Sequence, residues 1–175
     1  MGRRHQCVWW LLALGLWLLC GCAKTQLAVL APTDWTASAS GAYVTDEGRV
    51  FYGIGRASGL RSAMLLRATA DNQAQTEMAG VIRGYLARLS AAAGMDATAP
   101  QDRQALHDLA QAVLRHARIV DHSDLSDAGA AMSLCRLDLD AVRQVLRSDV
   151  ILENALQQRM LAETERVHDA MVGRH

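Results

Sequence analysis

The stretch Arg49-Val50-Phe51-Tyr52-Gly53-Ile54-Gly55 decides the fold of this chain. Its β-branched and aromatic residues, ended by glycines, are typical of a β-strand. We predict that the segment Gly53 to Gly59 is a turn that separates this strand from the next element. The folded domain is therefore predicted to begin near residue 49.

Two helices are predicted after this strand. From about Leu60 to Ala93 no proline intervenes, and apolar residues recur mostly at three- or four-residue steps, which indicates a long amphipathic helix. Its middle, Ala68 to Ala79, is rich in small residues, so this part could approach a sheet closely. After a loop at Gly94 to Pro100, a second helix is predicted at about Gln101 to His116.

Two more strands, Ala117 to His122 and Ala130 to Leu139, flank a predicted turn and are expected to pair with each other. A last helix is predicted from about Ala141 towards Val172. The order strand, helix, helix, strand, strand, helix indicates the α+β class. We expect a small antiparallel sheet of about three strands packed by long helices.

The last helix is predicted to extend beyond the domain. It is longer than a sheet of about three strands needs, and its apolar positions continue to Met171. Such a stripe can meet another chain, in which case the protein self-assembles or docks on a larger assembly. The alternative is that the stripe covers the domain's own sheet, and both interpretations stay open.

The first 21 residues have the layout of a secretory signal. Arg3 and Arg4 precede an apolar run from Cys7 to Cys20, which small residues follow. The run has 14 residues, whereas a membrane-spanning helix needs about 20. Removal of Arg3 and Arg4 with the signal leaves 16 basic and 18 acidic residues, a formal charge of −2. A nucleic-acid-binding surface is therefore not expected.

The chemistry-bearing residues do not combine into a recognisable active site. The glycines of Gly53 to Gly59 lack the dinucleotide-binding spacing. The run Asp121-His122-Ser123-Asp124 has the residue types of a catalytic triad, but neighbours on a strand point to opposite faces. Glu163 and Glu165 are two residues apart on a helix and do not face each other. We predict that the protein is not an enzyme and has no cofactor.

No metal site is predicted either. Cys20 and Cys22 would need two further ligands for zinc, and the next cysteine is Cys135, which we interpret as a buried small hydrophobe. Three histidines on helical segments lack the His-x-x-x-His spacing of a metal-binding face, namely His107, His116 and His168.

The stretch Leu19-Cys20-Gly21-Cys22 resembles a bacterial lipobox. The resemblance implies cleavage after Gly21, diacylglycerol on the Cys22 sulfur and acylation of the freed amine. Two or more acyl chains hold a protein stably on a membrane. Ala23 follows the modified cysteine, which resembles the signal for transport to the outer membrane of Gram-negative bacteria.

Three stretches resemble the LPP-twenty lipoprotein family. They are Phe51-Tyr52-Gly53-Ile54-Gly55, the alanine-rich run from Arg67 to Ala79, and Leu134-Cys135-Arg136-Leu137-Asp138-Leu139. The resemblance implies a small α+β module on the outer membrane, in some members part of flagellar and motility assemblies, as in the FlgP-like branch.

The chain is accordingly predicted to have four parts. These are a signal peptide (1–21), a lipidated N-terminus and flexible tether (22–48), an α+β domain (49–150) and a C-terminal helix extension (151–175). We expect a lipid-anchored outer-membrane protein that is a structural or assembly component of an envelope machine, with copies of itself or envelope and flagellar proteins as partners. The alternative is a periplasm-facing module that binds a small ligand or peptidoglycan.

Overall fold

A computed structural model describes residues 34–95, 99–125, 129–148 and 152–173. The predicted signal peptide, Cys22 and the first part of the predicted tether lie outside the described residues. A short 3-10 turn at Trp35–Ala37 comes first. Within the described residues, four strands and four helices follow, which we number in chain order.

The strands are β1 (Gly41–Thr45), β2 (Gly48–Ser58), β3 (Arg118–Leu125) and β4 (Ala130–Asp138). The helices are α1 (Ala63–Ala92), α2 (Pro100–Leu114), α3 (Leu139–Ser148) and α4 (Asn154–Asp169). The α+β class and the small antiparallel sheet are therefore confirmed.

The sheet has the order β1-β2-β4-β3, and all its neighbouring strands are antiparallel. A two-residue turn at Asp46 and Glu47 joins β1 to β2, and Gly48 after it has a φ of +124° that favours glycine. On the outer strand β3, the pairing skips Val120, because Ile119 faces Cys135 and Asp121 faces Leu134. This irregularity is a β-bulge on an edge of the sheet.

Helix α1 packs directly on β2 because β2 has glycines where the two elements meet. A Cβ atom on Gly53 would lie 2.3 Å from the Ala74 carbonyl oxygen, and one on Gly55 would lie 2.0 Å from that of Ala70. Both distances are far below van der Waals contact. The small residues of the helix and the glycines of the strand thus bring the two backbones together.

The main core lies between the sheet and the helices. Its largest fully buried side chains come from every layer and include Phe51, Met78, Ile82, Tyr85, Leu137, Leu146 and Met160. A second, smaller apolar cluster occupies the other face of the sheet, where Trp35 packs against it; its buried members are Tyr43, Val50, Tyr52, Ile54, Met132 and Leu134. Both faces of the central strands are therefore apolar.

The structure corrects the predicted number of strands. The sheet has four strands rather than about three, because β1 lies inside the segment 22–48 that was predicted to be a flexible tether. Strand β1 has only five residues and follows the stretch Ser38-Ala39-Ser40, so no sustained alternation of apolar and polar residues marks it. Its pairing with β2 depends on the tight turn at Asp46 and Glu47.

The segment Gly53 to Gly59 is not a turn, since β2 continues to Ser58 and only Gly59, with a φ of +79°, lies beyond it. The single extended C-terminal helix is also wrong, because α3 ends at Ser148 and α4 begins at Asn154. The Gln157 side chain donates a hydrogen bond to the Leu146 carbonyl oxygen, which satisfies a backbone group at the end of α3.

Helix α4 packs inside the domain. Met160 is fully buried and Val167 is 4% exposed in the main core, and the Tyr85 hydroxyl donates to the Thr164 carbonyl oxygen over 3.0 Å. Of the two interpretations of the C-terminal apolar stripe, the structure favours coverage of the domain's own core. The predicted division at residue 150 therefore separates helices that share one core.

Candidate contact surface at one end of the sheet

An open groove lies where α1 and β4 begin. It encloses about 760 Å³, and its lining includes Leu60, Met64, Leu66, Asp71, Ala130 and Ala131. The backbone converges here because Ser58 at the end of β2 pairs with Ala130 at the start of β4. Beneath the groove, Ala57, Leu66, Ala70 and Ala131 form a small buried cluster.

The rim of this groove exposes large apolar side chains. Met64 is 78% exposed, Leu65 54% and Leu60 40%. We call these three residues the apolar rim. In the whole of the described chain, one other large apolar residue, Val120, is similarly exposed, so the exposure is concentrated at this end. Concentrated apolar exposure is typical of a contact surface.

The first residues of α1 are positioned by a serine cap. Ser62 has an extended backbone, and its hydroxyl accepts a hydrogen bond from the Leu65 backbone N–H over 3.4 Å. Between Gly59 and Ala70 the chain has two arginines, Arg61 and Arg67, and no acidic residue. The exposed start of α1 is thus both apolar and basic.

Deeper in the groove, Asp71 connects α1 to two strands. Its Oδ1 atom accepts a hydrogen bond from the Ser133 hydroxyl over 2.6 Å and lies 2.8 Å from the His122 Nε2 atom. Ser133 is fully buried, whereas the side chains of His122 and Asp71 are about one-third exposed. The carboxylate therefore gives a buried hydroxyl its partner and fastens α1 to the sheet.

Asp71, Ser133 and His122, which we call the Asp71 trio, have the residue types of a hydrolase catalytic triad but a different arrangement. In a triad the histidine accepts the serine proton, and the carboxylate orients the histidine from its other side. Here the Ser133 hydroxyl donates to Asp71, and the imidazole bonds to the same carboxylate oxygen. The imidazole therefore does not stand between the serine and the carboxylate, and the fully buried Ser133 hydroxyl faces Asp71 rather than solvent.

The predicted separation of Asp121 and His122 is confirmed. The Trp35 indole N–H donates to the Asp121 Oδ2 atom over 2.7 Å on one side of the sheet, while His122 reaches Asp71 on the helix side. Asp71 and Ser133 were missed in the sequence. They are 62 positions apart, and only the pairing of α1 with β4 brings them together.

The other candidate residues are scattered, and most have structural partners. His107 and His116 are exposed, and Cys135 is fully buried, which raises the pKa of its thiol to about 11. Glu163 pairs with Arg166, and Glu165 pairs with Arg143 and, over 3.5 Å, with Arg49. Among the described residues no three His, Cys, Asp or Glu side chains are placed to hold a metal ion.

His168 is a fully buried histidine with an oxygen acceptor near each of its ring nitrogens. Its Nε2 atom lies 3.1 Å from the Val50 carbonyl oxygen, and its Nδ1 atom lies 3.4 Å from the Asp169 carboxylate. Burial lowers the pKa of His168 below its usual value despite these contacts. Its ring also packs edge-on against Phe51, with centroids 5.0 Å apart, so it belongs to the core.

Comparison of the chain with known protein families and with curated proteins finds no match.

Proposed function

We propose that this protein is a lipid-anchored outer-membrane protein of a Gram-negative bacterium, held through Cys22, and that its domain is a non-enzymatic structural or assembly component of the envelope. The observation that carries the proposal is the stretch Leu19-Cys20-Gly21-Cys22 after a 14-residue apolar run. None of the helices in the described part of the chain is long and apolar enough to cross a bilayer. In this proposal, attachment depends on the lipid.

The domain's surface agrees with a contact role. The Asp71 trio is closed on itself by hydrogen bonds, and the acidic side chains of α4 are paired with arginines. Among the described residues, the apolar rim beside its groove is exposed to solvent. We therefore assign the domain to contact with another surface rather than to catalysis.

The anchoring is tested by metabolic labelling with a radioactive or clickable palmitate. We expect Cys22→Ala to abolish incorporation and Cys20→Ala, two residues away in the discarded signal, to leave it unchanged. Lipid on the Cys20→Ala protein but not on the Cys22→Ala protein would identify the acceptor. Equal labelling of wild-type protein and the Cys22→Ala variant would refute the proposal.

Outer-membrane location is tested by density fractionation of the envelope. We expect the wild-type protein in the outer-membrane fraction and Ala23→Asp in the inner-membrane fraction, since Asp after the lipidated cysteine resembles the retention signal.

The assembly role is tested by sedimentation in detergent, where a monomer at all concentrations would contradict self-assembly. The motility branch of the proposal predicts reduced swimming of a deletion strain.

A second function, a binding module for a small ligand or peptidoglycan, is favoured by the groove of about 760 Å³ with Asp71 in its wall. Cavities of this size accommodate small ligands. A thermal-shift screen with nucleotides, glycans and peptidoglycan fragments tests it, because a bound ligand raises the melting temperature by mass action. No shift with any of these compounds would exclude them.

A further inference from the structure

The chain enters the domain at the end of the sheet that carries the apolar rim. The Arg56 guanidinium donates to the carbonyl oxygens of Thr36 and Ser38, each over 3.0 Å. Arg56 and Leu60 are four residues apart, so their Cα atoms are separated by at most about 14 Å. The first described residues are therefore fastened to the last part of β2, from which the chain runs directly to the rim.

The length of the tether limits how far this end can lie from the lipid, an argument that rests on the proposed attachment at Cys22. Twelve residues lead from Cys22 to Asp34. Fully extended they span at most about 40 Å, and any less extended chain brings the domain closer. The tether thus keeps the point where the chain enters the domain, at the sheet end where β2 leads to the rim, within about 40 Å of the lipid.

The chemistry of this end matches the interfacial region of a phospholipid layer. Segments that lie at this interface combine large apolar side chains with arginine or lysine, since the former reach the acyl boundary and the latter bind lipid phosphates. Leu60, Met64 and Leu65 are the exposed apolar groups, and Arg61 is exposed among them. The exposed residues just before and at the start of α1 thus supply both components.

We infer that the apolar rim inserts into the headgroup region of the phospholipid layer in which Cys22 is anchored, with Arg61 at the level of the lipid phosphates. The domain then rests on the membrane through a second contact and does not move freely on its tether. In this placement helix α1 leads away from the surface, and Ala91 lies 27 residues beyond Met64, about 40 Å along the helix axis.

The test uses the full lipidated protein reconstituted into phospholipid vesicles. Met64→Cys and Ala91→Cys are each labelled with an environment-sensitive fluorophore, since both positions are exposed and Cys135 is fully buried. Nitroxides attached to the lipid acyl chains then quench a label that reaches the membrane. We expect quenching at position 64 to exceed that at position 91 by at least about threefold, as an interfacial depth of 5–10 Å requires.

A charge variant provides the matched control. With the label at Ala63→Cys, the added substitution Leu65→Glu is expected to remove most of the quenching, and Val120→Glu, at the exposed apolar residue outside the rim, is expected to leave it unchanged. Flotation of each variant with the vesicles reports the Cys22 anchor separately. Each substitution replaces an exposed side chain, so the fold should tolerate both.

The outcomes separate the two proposals. Equal quenching at positions 64 and 91 in protein that still floats would overturn the membrane contact and leave the anchor intact. A label at 64 that is shielded from aqueous iodide but not reached by lipid nitroxides would also overturn it and indicate contact with a second copy. Wild-type protein that fails to float would refute the anchor, and the membrane contact with it.

Discussion

At the scale of single residues, Gly55 shows how strictly the sequence is constrained by the approach of α1 to β2. A Cβ atom at this position would lie 2.0 Å from one backbone oxygen and 2.4 Å from one backbone nitrogen of the helix, and backbone atoms cannot move aside as a side-chain tip can. We expect Gly55→Ala to lower the free energy of unfolding by about 3 kcal/mol. Urea denaturation measures the change.

Gly80 supplies the matched control for this prediction. It is an exposed glycine within α1, and a Cβ atom there would meet nothing within 4 Å. Gly80→Ala should raise the free energy of unfolding by up to about 1 kcal/mol, because alanine favours the helix. If the Gly55→Ala variant were as stable as the wild-type protein, the close packing of α1 on β2 at Gly55 would be contradicted.

The buried His168 should make the free energy of unfolding depend on pH. Its pKa is lowered in the folded state, so the unfolded chain binds the proton first and stability is lost as pH falls through the ordinary histidine value. We therefore expect the free energy of unfolding to fall as the pH is lowered from about 7.5 to about 5.5. At lower pH the Asp169 carboxyl, whose pKa is lowered by Arg49, adds a loss of the same sign.

Two substitutions isolate the histidine. His168→Gln keeps a donor for the Val50 carbonyl oxygen but does not titrate, so its stability should change less with pH in this range. His107→Gln removes an exposed histidine and should retain the wild-type slope. Thermal denaturation at several pH values provides the measurement, and an unchanged slope in His168→Gln would assign the pH dependence to other groups.

At the scale of elements, local sequence patterns predicted α1 and the pairing of β3 with β4. They failed for elements whose bounds depend on packing between distant parts of the chain. The repeated small residues of α1 and the pairing of β3 with β4 follow from periodicity and turn residues. Strand β1 has five residues and is fixed by its partner. The break between α3 and α4 lies within an apolar sequence pattern that continues through it, and α4 contacts α1 through Tyr85 and Thr164, which are 79 positions apart.

The candidate site could be predicted less well than the fold. Asp71 lies on a helix, Ser133 on a central strand and His122 on an edge strand, and no spacing in the sequence relates them. The apolar rim has a weak signal in Leu60, Met64 and Leu65. That signal equally describes a buried helix face, because periodicity does not say which side of a helix meets solvent.

Helix α4 gives a prediction at this scale. Met160 is fully buried and Met64 is 78% exposed, so the same substitution separates core from surface. We expect Met160→Ala to lower the free energy of unfolding by about 2–5 kcal/mol and Met64→Ala to change it by less than about 0.5 kcal/mol. Similar values for the two variants in chemical denaturation would mean that α4 does not share the core.

At the scale of the whole molecule, the number of reactive thiols reports both processing and folding. If Cys7 and Cys20 leave with the signal and Cys22 is acylated, Cys135 is the remaining thiol. It is fully buried, so the native protein should not react with a thiol reagent and the unfolded protein should react once. A second thiol in the unfolded mature protein would mean that Cys22 carries no lipid.

The bulge at Val120 has a consequence for the behaviour of concentrated protein. A regular edge strand offers a row of free backbone groups on which another chain can build a fibril. Strand β3 is interrupted at Val120, and β1 on the opposite edge is only five residues long. Neither edge is a long regular template, so we expect resistance to amyloid formation. Deletion of Val120 should restore a regular edge and shorten the lag time in a fibril-binding dye assay.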